Sequence, residues 1–219
     1  MNYINFPTTS QRTPCILVLD TSIAMSLPWL SNKTGIDALN SAINRFHKFL
    51  AADPTAKVRW EICIIKAGGA NNSAECVQDW TLVHNYMPAI FEASGMSPIG
   101  AGINLALEMI KTRKEHYNHN GFDYTRPYLF IMSAGKPTDK NSEWQAAVSA
   151  LKEAESFKQV KTFTIALGRD ANFNLLASLS SYPVFAGETL NWSEIINRTW
   201  VIDVPKYNQL NLSPWMEVE

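Results

Sequence analysis

The sequence predicts an α/β three-layer sandwich, a mostly parallel six-stranded sheet with helices on both faces. Three observations predict it. Cys15 to Leu19 and Tyr128 to Met132 are continuous apolar runs, the pattern of strands buried on both faces. Between them lie helical stripes such as Ile36, Leu39, Ile43, Phe46 and Leu50, at steps of three and four residues. Strand-type and helix-type segments alternate along the chain, which implies right-handed crossovers within one sheet.

The elements follow in order. The first strand ends at Asp20. Thr34 is the expected N-cap of the first helix, and Asp53-Pro54 its stop. Val58 to Ile65 reads as a second strand and Glu75 to Val83 as a third, with Gly68-Gly69 and Asn71-Asn72 marking the turn between them. Pro98 opens a helix through Ile99, Ile103, Ala106 and Ile110 toward Tyr117. The fourth strand spans Pro127 to Met132. Ser142 with Gln145 has the form of a capping box ahead of a helix buried through Trp144, Val148 and Leu151. Val160 to Leu167 is a fifth strand, Phe173 to Leu179 a short helix and Pro183 to Ala186 a sixth strand. A last helix carries Leu190, Ile195 and Ile196. Residues 13–203 form the expected single domain, with an arm at 1–12 and a tail at 204–219.

Composition narrows the partners. The 219 residues are 46% hydrophobic, and 19 Lys+Arg against 20 Asp+Glu leave a net charge of −1. That balance argues against nucleic acid, which demands clustered positive charge. No apolar run approaches the ~20 residues that span a bilayer, so no membrane partner is expected. The start lacks a basic stretch followed by an apolar one, so no signal peptide is read. Cys15, Cys63 and Cys76 are an odd count, and two of them sit inside apolar runs as small hydrophobes. A reducing, cytoplasmic setting is the expectation.

In such sheets ligands gather at the carboxyl ends of the strands. Three loops therefore matter: after Asp20, around Ser97 and after Met132. The segment Leu17-Val-Leu-Asp20-Thr-Ser22-Ile-Ala24-Met25-Ser26 resembles the D-x-S-x-S motif of von Willebrand factor type A domains. Ala93-Ser-Gly95-Met96-Ser97-Pro98-Ile99-Gly100 resembles the second motif of that family, where Thr usually precedes Pro-Leu-Gly. Leu129-Phe-Ile-Met-Ser-Ala134-Gly135-Lys136-Pro137-Thr138-Asp139 resembles the third, usually Met-Thr-Asp-Gly-Glu-Pro-Thr-Asp. With Arg126-Pro127 ahead of it and Trp144 behind, the third motif is most similar to the bacterial TerY-like branch associated with tellurite-resistance gene clusters. The resemblance covers about residues 13 to 202.

The resemblance implies a Rossmann-like fold and a metal-ion-dependent adhesion site. There a divalent cation is held by the first Asp, two serines and a Thr, with the last Asp in or near its shell. Mg²⁺ wants six oxygen ligands and keeps waters where protein oxygens are lacking. Here Asp20 and Ser22 match, and Ser97 replaces Thr with its hydroxyl retained. Ala24 stands in place of the second serine, Ala134 in place of the last Asp, and Lys136 where Glu is usual. A vestigial site is expected, with no cofactor and at most weak Mg²⁺ binding. Lys136 could pair with Asp20 in the ion's stead. Read locally, Ser97 before Pro98 is a helix N-cap rather than a ligand. Asp20 must in that case find hydrogen bonds from Ser22, Ser97 or loop amides, because an unpaired buried carboxylate is costly.

No enzyme signature survives scrutiny. Gly95-Met96-Ser97-Pro98-Ile99 fails the nucleophile elbow at Ile99, and Gly100-Ala101-Gly102 fails the dinucleotide fingerprint at Leu105. His116 and His119 share a helix within a polar stretch and read as an exposed helix end. The expectation is therefore a non-enzymatic protein-interaction or adaptor module in a stress-resistance or defence system. Leu27-Pro28-Trp29-Leu30 would supply its hydrophobic anchors, unless Trp29 folds back on its own domain, with Met96 and Lys136 nearby. Two alternatives stand beside it: a Mg²⁺-dependent binding domain, and a small-molecule-binding or hydrolytic α/β domain with a closed pocket at the strand ends.

Overall fold

The computed structural model describes residues 11–28, 33–168, 170–187 and 190–196. Most of the expected 1–12 arm, the 204–219 tail, Trp29 and Leu30 lie outside the described residues.

Six strands form one sheet in the order β3-β2-β1-β4-β5-β6. They are β1 (Thr13–Thr21), β2 (Trp60–Gly68), β3 (Ser73–Leu82), β4 (Tyr128–Ser133), β5 (Lys161–Ala166) and β6 (Phe185–Ala186). All neighbours are parallel except β2 and β3, which form an antiparallel hairpin at one edge. The central strands β1, β4 and β5 are buried at every position. That explains why β1 and β4 carry unbroken apolar runs rather than alternations, whereas β5 buries Thr162 and Thr164 between its apolar residues.

Two helical layers cover the sheet. On one face α1 (Gly35–Ala52) packs Leu39, Ile43, Phe46 and Leu50 against Leu17, Leu19, Ile62 and Phe130. The helical segment 192–196 brings Trp192 and Ile195 to the same cluster. Phe46 makes ring contacts with Trp60, Phe130 and Trp192. On the other face α3 (Ile99–His119) and α4 (Asn141–Ser156) pack Ile99, Ile103, Ile110, Val148 and Leu151 against Ile16, Val18, Cys63 and Ile131. Burying each such side chain stabilises the fold by about 1.5–3 kcal/mol. Gly102 permits the close approach of α3 to the sheet, since a Cβ there would lie 2.8 Å from Val18 Cγ1.

Local chemistry explains where the expectations hold and where they shift. Thr34 caps α1 in a full capping box, its hydroxyl accepting from Asp37 N at 3.2 Å while Asp37 accepts from Thr34 N at 2.9 Å. The second strand starts two residues later than read, because Asp53-Pro54 starts a short helix, α2 (Pro54–Arg59), as well as stopping α1. Asp53 Oδ1 accepts from Thr55 N at 2.6 Å, and Pro54 sits at the first helical position. The capping box read at Ser142 does not form: α4 starts at Asn141 behind Lys140, which makes no side-chain cap bond. Ser142 thus lies within the helical turn it was expected to precede. Trp144 is half-buried rather than buried. The last strand shrinks to two residues after α5 (Phe173–Ala177).

Candidate functional site

The carboxyl ends of β1 and β4 meet where parallel pairing sets Leu19 beside Met132, so the next residues, Asp20 and Ser133, are neighbours. Asp20 is fully buried. Its Oδ1 accepts from Ser22 N at 3.0 Å. Its Oδ2 accepts from Ser97 Oγ at 3.1 Å and from Ser133 Oγ at 2.6 Å. Ser133 Oγ in turn accepts from Gly135 N at 2.8 Å. The carboxylate thus bonds to all three loops of the strand-end face.

Backbone bonds hold those loops together. Ser94 N donates to Thr21 O at 2.8 Å, Ile23 N to Gly95 O at 3.0 Å, and Gly69 N to Ser94 O at 2.8 Å. Gly95 has φ +71, and a Cβ there would fall 2.0 Å from Gly69 O, so only glycine fits between the two loops. Ser97 N donates to Thr138 Oγ1 at 2.8 Å, and Thr138 N returns a bond to Ser97 O at 2.9 Å.

The cap reading of Ser97 is corrected by this geometry. Its hydroxyl points to Asp20, and the residue preceding α3, Pro98, makes no side-chain cap bond. Asp139 caps the helix from another loop, accepting from Gly100 N and Ala101 N at 3.0 Å each. The suggested Lys136–Asp20 pair does not form either. Lys136 is exposed and makes no ion pair among the described residues, while two hydroxyls and an amide donate to the buried carboxylate. Ser133, Thr138 and Asp139 were not singled out as site residues. The register of β1 against β4 was the signal that could have found Ser133.

The donor set can be tested against a divalent cation. Ala24 and Ala134 contribute no side-chain oxygen, which leaves one carboxylate and the hydroxyls of Ser22, Ser97 and Ser133, the last already bonded to Asp20 and Gly135 N. Asp20 already accepts three hydrogen bonds. Single charge and few protein oxygens do not fit a tightly held six-coordinate ion. One feature of a cradle persists: Ser22 Oγ is buried with no hydrogen-bond partner among the described residues.

The four histidines lie away from Asp20 among the described residues. His47 packs edge-on to Tyr86, His84 Nδ1 lies 3.0 Å from Lys57 O, and His116 and His119 occupy the exposed last turn of α3. A groove of about 570 Å³ lies between α3 and α4, lined by Leu107, Lys111, Lys114, Glu153 and Val160, away from the strand ends. The loops that meet at Asp20 expose apolar side chains as well as Lys136: Ile23 is 60%, Leu27 53% and Met96 50% exposed. No helix among the described residues is long and apolar enough to cross a membrane.

No family profile and no curated protein matches the sequence. Solved structures do resemble the fold. The von Willebrand factor domain of the type V pili tip protein Mfa5 from Porphyromonas gingivalis superposes with TM-score 0.62 at 12% identity, covering 89% of this chain and 97% of that one. Manganese-loaded Plasmodium vivax TRAP gives 0.52 at 15% identity, over 85% and 71%. Proximal thread matrix protein 1 of the mussel byssus gives 0.51 at 14% identity over 87% of this chain, which spans only 47% of that protein. Identities this low speak for architecture alone: the chain has a von Willebrand factor A-like fold, a Rossmann-like sheet with helices on both faces.

Proposed function

We propose that the chain is a non-enzymatic protein-interaction module that binds through the strand-end face around Asp20 without depending on a divalent ion. The observation that carries this reading is the state of Asp20. Its carboxylate is buried and accepts three hydrogen bonds, from Ser22, Ser97 and Ser133, which hold it to the protein's own loops. The exposed rim of Ile23, Leu27 and Met96 offers apolar contact in place of coordination. Likeness of the third motif to the TerY-like branch supports an adaptor role in a stress-resistance or defence system. The free thiols of Cys15, Cys63 and Cys76 agree with a cytoplasmic setting.

A second reading has one observation in its favour. The unpartnered hydroxyl of Ser22 is the kind of donor an ion would use, and a similar fold, TRAP, is manganese-loaded. Calorimetry with Mg²⁺ and Mn²⁺ on the intact chain separates the two. The proposed reading expects no saturable heat at micromolar metal. Micromolar binding that disappears in Asp20→Ala would replace it with the metal-dependent one.

A further inference from the structure

A second group of chemically soft side chains lies away from the strand-end face. Cys63 stands on β2 beneath α3, and Cys76 on the edge strand β3. Cys63 Sγ lies 3.9 Å from Cys76 Sγ and 3.9 Å from Met109 Sδ of α3. Cys63 is buried, Met109 half-buried and Cys76 exposed, so the three sulfurs form a cluster open to solvent on one side. We propose that Cys63, Cys76 and Met109 form a three-sulfur site for a soft monovalent cation, cuprous copper.

Distance, donor type and strand register agree on this. Metal–thiolate bonds are about 2.3 Å long, and three sulfurs set at 120° around one ion then lie about 4.0 Å apart. The two separations from Cys63 Sγ, 3.9 Å each, equal two sides of that triangle, and closing the third side needs only rotation of the exposed Cys76 side chain or the flexible Met109 side chain. Thiolate and thioether donors select Cu(I) over harder divalent ions. Structural zinc wants four nitrogen, sulfur or carboxylate ligands, and no group of three or more His, Cys, Asp or Glu stands together among the described residues.

The same two cysteines are free thiols and are not directly opposed across the hairpin. Ile65 faces Cys76 across the hairpin, and the register shifts between Ile64 and Ile65, so Cys63 is offset from Cys76 rather than its direct partner. An ion can bridge sulfurs that are offset along the hairpin.

Binding is balanced without any change of oxidation state. The two S–H bonds of Cys63 and Cys76 break, and two Cu–thiolate bonds form. Met109 adds a dative bond through its sulfur lone pair, and two protons leave to solvent. The supplied co-reactant is Cu(I) itself.

The test titrates the full-length reduced chain with cuprous ion under anaerobic conditions, with bicinchoninate as competing chelator. One Cu(I) per chain is expected to be withheld from the chelator, with two protons released. Cys76→Ser alters an exposed position and keeps the fold, as circular dichroism will confirm. It should weaken binding by more than the about tenfold loss typical of an outer-shell change. Met109→Leu should weaken it too, while Cys15→Ala, on the opposite face of the sheet, leaves it unchanged. Failure of the wild type to compete, or equal retention by Cys76→Ser, overturns the proposal. So does ready formation of a Cys63–Cys76 disulfide with oxidised glutathione, which would take both thiols away from the ion.

Discussion

The carboxylate of Asp20 accepts a 2.6 Å hydrogen bond from the hydroxyl of Ser133, tying the ends of β1 and β4 to each other across 113 residues of chain. Ser97 and the amide of Ser22 complete the set. Charge-assisted bonds of this kind are about twice as strong as neutral ones, so a group placed for binding serves here as a brace. Asp20→Ala would leave three buried donors without their acceptor, each costing about 1–3 kcal/mol less whatever reorientation recovers. A loss near 3 kcal/mol is expected in urea denaturation, with a smaller loss for Asp20→Asn, which keeps one carbonyl oxygen. Equal stability of Asp20→Ala and wild type would show that the brace is not needed.

Restoring the missing oxygens should restore the ion. Ala134 is buried beside the Asp20 network, so Ala134→Asp brings a second carboxylate close to the first in a dry site. Without metal this variant, combined with Ala24→Ser, should melt below the wild type through like-charge repulsion and desolvation. A ligand present at 100 times its Kd adds about 2.7 kcal/mol to the folded state. Millimolar Mg²⁺ should therefore raise the melting temperature of the double variant by several degrees and leave the wild type unmoved. An equal rise in both proteins would mean that the natural site already binds.

What could be read from the sequence follows the range of the forces involved. β1 and β4 were legible because a strand buried on both faces is dominated by apolar residues. α1 was legible because its stripe and its Thr34–Asp37 box are both local. The hydroxyl of Ser97 was misread for the opposite reason. A Ser before Pro has a strong local explanation as a cap, but a buried carboxylate 77 residues away competes for that hydroxyl and wins. Asp139 likewise sits 39 residues from the helix it caps, so no window of sequence around α3 contains its cap. The four-residue motif at Ser142 failed because α4 begins two residues earlier than that cap implies, at Asn141. The loss of oxygens at Ala24 and Ala134, by contrast, needed no structure at all, since alanine has none to give.

Asp139 offers a test of that long-range cap. Removing a side-chain cap of this kind costs about 1–2 kcal/mol, part of it from the favourable position of a negative charge at a helix N-terminus. Asp139→Ala should show that loss, and Asp139→Asn a smaller one. Gly100→Ala is the informative partner. In an ordinary helix it would gain up to about 1 kcal/mol. Here the new Cβ would lie 2.9 Å from Asp139 Oδ1, so the change should destabilise the wild type. In the Asp139→Ala background the same substitution should turn neutral or stabilising. A Gly100→Ala effect of the same sign and size in both backgrounds would disprove the contact.

The last prediction concerns alkaline pH. Tyr86 is buried, its hydroxyl has no hydrogen-bond partner among the described residues, and burial pushes its phenol up to about 12. In an unfolded chain the same group titrates near 10, as tyrosines ordinarily do. Between those values the unfolded state has released its proton while the folded state still holds it. The unfolded state therefore gains as pH rises, and folded stability that is fully present below about pH 10 is lost as pH climbs toward about 12. Tyr86→Phe removes that linkage and also the cost of an unpaired buried hydroxyl. The variant should match or exceed wild-type stability at pH 7 and lose less of it in denaturant titrations between pH 10 and 12. Some alkaline slope will remain, because Tyr117 is also held above its usual range, by burial and by its hydrogen bond to Glu61. If Tyr86→Phe destabilises the protein at pH 7 by a kilocalorie or more, the hydroxyl has a partner after all, and the alkaline limb should then be unchanged.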